Sequence, residues 1–89
     1  MQLDERYYCR VCGLEEEEEP PWGEDGMSPT HDACVCCGVE HGYEDARLEG
    51  VRHYREQWLA NGAKWHDPKF KPANWDLEEQ LRHIPEKYR

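Results

Sequence analysis

Cys9-Arg10-Val11-Cys12-Gly13 and Cys34-Val35-Cys36-Cys37-Gly38 are two copies of one pattern, C-x-x-C-G, with 21 residues between Cys12 and Cys34. In each copy a two-residue gap lets both sulfurs of a tight turn face one ion, and the glycine admits the positive φ such a turn needs. The separation is slightly longer than the usual 15–20 residues between paired C-x-x-C elements, and loop length enters stability only logarithmically. The spacing therefore predicts a tetrahedral Zn²⁺ held by Cys9, Cys12, Cys34 and Cys37. Four thiolates fill every coordination position, so the expected ion is structural. Cys36 is left over and reads as a spare thiol beside the second turn, because only the pair 34 and 37 preserves the C-x-x-C-G geometry.

The remainder of the composition makes such an anchor necessary. Six Leu, four Val, one Ile and one Phe are all the aliphatic and Phe residues among 89, and acids exceed bases 20 to 11 for a net charge of −9. A chain this poor in apolar side chains and this charged resembles a disordered one. Four Trp, five Tyr and five Cys argue the other way, toward an aromatic core fixed by metal. Structural zinc in small peptides contributes about 10–16 kcal/mol, comparable with the whole stability of a domain, so folding is expected to depend on the ion.

The length predicts a single domain over 1–89, with a zinc-knuckle region at 1–44 and a helical region at 45–89 packed on it. The N-terminus has no basic and apolar leader pattern, no apolar run is long enough to span a bilayer, and an odd cysteine count fits disulfides poorly. A cytoplasmic location is expected from this. Residues 1–46 hold 13 acids and two bases, whereas residues 47–89 hold seven acids and nine bases. The first half is broken by Pro20, Pro21, Gly23, Gly26 and Pro29 and reads as short strands and knuckle turns, with Glu15 to Glu19 as a solvated loop. In the second half Leu48, Val51, Tyr54, Trp58 and Leu59 share one helical arc, predicting a helix from about Asp45 to Asn61 with Gly62 as its stop. A second helix is predicted from Asp76 to His83, capped by Asp76 and Glu79, with Leu77, Leu81 and Ile84 on one stripe. Trp65, Phe70 and Trp75 are expected to wrap the core between the helices. The resulting class is a small α+β fold, a four-cysteine zinc ribbon or knuckle with short strands followed by two helices.

Tyr8-Cys9-Arg10-Val11-Cys12-Gly13, the stretch Ala33 to Asp45, and Trp58, Gly62 and Trp65 resemble a family of small bacterial cysteine-rich proteins marked by a C-P-C-C element. Here Val35 stands in place of the family's proline. The resemblance implies metal binding and brings no assigned activity. The doubled C-x-x-C-G, Tyr8, the acidity and the aromatics are also similar to rubredoxin, which implies an iron tetrathiolate electron carrier as the alternative to zinc.

No catalytic constellation is visible: the chain has no phosphate-binding glycine loop, nucleophile elbow, H-E-x-x-H or zinc-deaminase pattern. Glu49, His53 and Glu56 read as a solvated helix face. Lys64, Trp65, His66, Lys69, Phe70 and Lys71 interleave bases with aromatics, but the net negative charge opposes phosphate binding, so no direct nucleic-acid contact is expected. What remains is a non-enzymatic binder whose acids steer a basic protein partner, with Glu24, Asp25, Glu40, Glu44 and Asp45 as the expected partner surface. A bacterial immunity or antitoxin-type protein that neutralises a basic toxin such as a nuclease fits this size, charge and lack of chemistry. A zinc-dependent adaptor or regulator is the other alternative.

Overall fold

In the computed structural model, residues 4–16 and 18–89 are described, and Glu17 of the glutamate run lies outside them. The chain runs through a short 3₁₀ turn at Glu5–Tyr7, two cysteine knuckles, helix α1 at Leu48–Ala60, a 3₁₀ turn at Pro68–Phe70, helix α2 at Leu77–Leu81 and a last 3₁₀ turn at Glu86–Tyr88.

The two knuckles repeat one backbone design at a fixed offset of 25 positions. Cys9 N–H donates to Leu14 O at 2.8 Å and Gly13 N–H to Cys9 O at 2.9 Å, while Cys34 N–H donates to Val39 O at 2.9 Å and Gly38 N–H to Cys34 O at 2.8 Å. Gly13 and Gly38 have φ of +81° and +82°, a left-handed conformation in which a Cβ is strained. An antiparallel bridge closes each unit, Tyr8 with Glu15 and Ala33 with Glu40.

These isolated bridges correct the expected α+β class. Among the described residues there is no β-strand and no sheet, so the first half is not a zinc ribbon with short strands. The reason lies in where the knuckle carbonyls find donors. Arg55 donates to Arg10 O and Val11 O at 2.9 and 2.7 Å, and Gln80 Nε2 to Cys12 O at 3.1 Å. In the second knuckle, Val35 O and Cys36 O each accept at 2.9 Å, from the backbone N–H groups of Asp67 and His66, and Cys37 O accepts from Tyr54 OH at 3.0 Å. All three carbonyls of each turn are thus satisfied by the second half of the chain, which takes the place a neighbouring strand would have.

The helices form where the periodicity predicts them but are shorter. α1 begins at Leu48 rather than Asp45, because Asp45 is committed elsewhere, and ends in a Schellman-type closure with Gly62 N–H to Leu59 O and Ala63 N–H to Trp58 O. On its inner face Val51 and Trp58 are buried, whereas Leu59, predicted on the same arc, is exposed. α2 spans only five residues, with Asp76 accepting from Glu79 N–H at its start. Leu77 and Leu81 pack against the core, and Ile84 beyond its end is buried.

The core joins the five cysteines to Val11, Val39, Val51, Trp58, Ala63 and Trp65. Trp65 and Trp75 meet edge to face with ring centroids 5.5 Å apart. Phe70, expected to wrap the core with them, instead lies 55% exposed at the end of its 3₁₀ turn.

Candidate metal centre

The four predicted sulfurs converge. Cys9, Cys12, Cys34 and Cys37 are buried and place their Sγ atoms within 4.8 Å of one another. Cys9 Sγ stands 3.8 Å from Cys37 Sγ, and Cys12 Sγ 3.7 Å from Cys34 Sγ, so each close pair joins one knuckle to the other. A tetrahedron with metal–sulfur bonds of about 2.3 Å has edges of about 3.8 Å, so these separations suit a single thiolate-bound ion. All five cysteines are free thiols, and the observed spacing is far beyond a disulfide bond. The donor set and its closure therefore fit a metal ion held by four cysteines.

Electrostatics follow from that crowding. Burial pushes the Cys12 and Cys37 thiols well up. Cys34 is held well below the ordinary thiol range because Cys12, Cys37 and Cys9 hydrogen-bond to its sulfur. Thiolates rather than thiols ligate a metal, so binding a divalent ion must displace protons from this cluster.

Cys36 is fully buried but lies outside this set. It occupies the position in the second knuckle that Val11 holds in the first, and both side chains are sealed in the core. Gln80 Nε2 reaches its sulfur at 3.3 Å, while Gln80 Oε1 accepts from Trp75 Nε1 at 2.7 Å. Gln80 thus ties α2 to Cys12, Cys36 and Trp75 at once. No sequence motif marks it, and its role is visible only in three dimensions.

Beside the centre the structure corrects the expected partner surface. Glu24, Asp25 and Glu40 are exposed and Glu44 is half-buried, but Asp45 is completely buried. Its carboxylate accepts from Gly42 N–H at 2.8 Å and from Trp22 Nε1 at 2.9 Å, and pairs with His41 Nδ1 at 2.9 Å. Burial opposes its charge, but the bonds from His41, Gly42 and Trp22 outweigh that and hold its carboxyl below the usual range. His41 itself is 2% exposed. Burial pulls its imidazole down, yet Asp45 and Cys34 prevail and push it up to about 10. Asp45 is therefore an internal brace. A further support is Arg10, whose guanidinium lies between the rings of Trp22 and Tyr88, 3.9 and 4.3 Å from their centroids, and which donates to Asp45 O.

The glutamate run is not uniformly solvated either. Glu15, Glu18 and Glu19 are exposed, but Glu16 is half-buried, and burial with the nearby Cys34 pushes its carboxyl up to about 7. Glu16 borders a cleft of about 330 Å³ that it shares with Glu18, Glu19, Asp32 and His41. Glu49, His53 and Glu56 lie exposed along α1 and take part in no ion pair or metal-ligand group among the described residues. Among the described residues no helix is long and apolar enough to cross a membrane.

No family model matches the chain, and no solved structure matches it. Among curated proteins it is 32% identical over 91 aligned positions to "Uncharacterized protein YozI" of Bacillus subtilis (strain 168), an alignment covering 85% of this chain and 70% of that protein. With similarity of that extent running through the chain, the protein belongs to the family of YozI.

Proposed function

We propose that this chain is a non-enzymatic, acidic binding protein whose first half is stapled by one Zn²⁺ on Cys9, Cys12, Cys34 and Cys37, and that it neutralises a basic protein partner in the manner of an immunity protein or antitoxin. The observation that carries the reading is the concentration of acids on the first half. Residues 1–46 have a net charge of −11, and Glu18, Glu19, Glu24, Asp25, Asp32 and Glu40 are all exposed. Solubility requires net charge but no such concentration, whereas a one-signed face steers an oppositely charged partner and raises its association rate. A four-thiolate ion has no open position for substrate or water, which favours a scaffold over a catalyst. A toxin domain such as a nuclease, basic because it handles phosphates, is the partner class with the complementary charge.

Co-purification from the native host supplies the partner, and association kinetics against salt then test the reading. We expect a basic protein whose association slows several-fold as ionic strength rises through the physiological range, where charge is screened over about 8 Å. Glu24→Lys, Asp25→Lys and Glu40→Lys together should slow it further, with metal content unchanged. A salt-independent association rate, or an unaltered rate in the triple variant, would remove the acidic face from the account.

A further inference from the structure

The 25-residue repeat places Glu16 and His41 at equivalent points, each leaving its knuckle. Glu16 N–H donates to Tyr7 O at 2.6 Å, and His41 N–H donates to Asp32 O at 3.1 Å. Both side chains turn toward the same sulfur. One carboxylate oxygen of Glu16, one ring nitrogen of His41 and Cys34 Sγ lie within 4.8 Å of one another.

His41 is held as a ligand is held. Its Nδ1 is engaged by the buried Asp45, and carboxylate bonding at one ring nitrogen is the usual way a metal-binding imidazole is oriented. The other nitrogen, Nε2, is buried and has no hydrogen-bond partner among the described residues. Leaving such an atom unsatisfied is costly, and what stands before it is a sulfur and a carboxylate. The cleft bordered by Glu16, Asp32 and His41 offers room for water.

We propose that Glu16, His41 Nε2 and Cys34 Sγ form a second cation site, for a zinc-type divalent ion, with the Cys34 thiolate bridging it to the four-cysteine centre and a water from the cleft as fourth donor. Nitrogen, sulfur and oxygen together are a zinc donor set. This site differs from the first in being open to solvent on one side. It rests on the four-thiol reading, since Cys34 serves both ions.

Native mass spectrometry of the full chain titrated with Zn²⁺ tests it, with Co²⁺ loading as a check on the first centre. Two zinc ions per chain are expected at saturation, the second weaker than the first. Glu16→Gln, a change at a half-buried side chain, should weaken the second equivalent at least tenfold, and His41→Phe should abolish it. Asp45→Asn should weaken it about 10–100-fold through loss of the orienting carboxylate. All three variants should keep the first ion and the visible spectrum of one Co²⁺ in a tetrathiolate. One zinc at saturation in the unaltered chain would overturn the proposal and make His41 Nε2 a hydrogen-bond donor to Cys34. A second equivalent that survives both Glu16→Gln and His41→Phe would overturn it as well. Absence of any tightly bound ion would instead defeat the four-thiol reading, and this site with it.

Discussion

The two knuckles share one backbone and differ in what surrounds it. In the first, Val11 fills the interior position and long side chains from α1 and α2, Arg55 and Gln80, reach in to the turn carbonyls. In the second, Cys36 fills that position, and two of the three carbonyls are bound by backbone N–H groups of His66 and Asp67. The first knuckle leads out to Glu16, half-buried at a cleft. The second leads to His41, buried at the edge of the same cleft and braced by Asp45. The turn is set by cysteine spacing and glycine. Its environment is set by whichever part of the second half packs over it.

Removing the brace tests the largest of these differences. Asp45→Ala would leave Trp22 Nε1, Gly42 N–H and the His41 ring without their common acceptor. Breaking a buried pair in this way costs about 3–5 kcal/mol, and denaturant unfolding of the metal-loaded protein is expected to show a loss of that order. A loss below about 1 kcal/mol would mean that the second knuckle does not depend on its brace.

The glycines give a sharper contrast at matched positions. A Cβ on Gly13 would collide with Gln80 O, a backbone atom of α2, whereas one on Gly38 would meet the His66 side chain at 3.1 Å. Both substitutions suffer the left-handed penalty of about 1–2 kcal/mol, and only the first also forces α2 to move. Gly13→Ala should therefore destabilise the protein more than Gly38→Ala in parallel denaturation curves. Equal losses would show that α2 yields freely.

The smallest expected effect comes from making the interior positions alike. Cys36→Val removes one weak contact from Gln80 and substitutes a small apolar side chain of similar size, so the change should stay within about 1.5 kcal/mol with full metal retention. Loss of metal in this variant would place Cys36 among the ligands.

The cysteine spacing made the sulfur cluster legible because a C-x-x-C-G turn is a local device, and the Leu48-to-Trp58 arc made α1 legible for the same reason. The absence of strands was not legible. It depends on Arg55, Tyr54, His66 and Gln80 supplying donors from far along the chain, and nothing local marks them. Asp45 reads as one more surface acid by charge alone, since its partners Trp22 and His41 meet it only in the folded state. A trace of the second site was present in the sequence, because Glu16 and His41 stand at the same distance after Cys9 and Cys34. A glutamate run and a lone histidine do not look alike, and the correspondence emerges only once the backbone bonds are compared.

The proposed zinc centre rests the fold on four thiols and leaves out the fifth. Its most direct test is metal content at one equivalent of zinc, read by native mass spectrometry across Cys9→Ser, Cys12→Ser, Cys34→Ser, Cys36→Ser and Cys37→Ser. Full occupancy is expected in Cys36→Ser alone, with tight binding lost in the other four and helical circular dichroism falling with it. Loss of zinc from Cys36→Ser, or retention in any two of the other four, would contradict it.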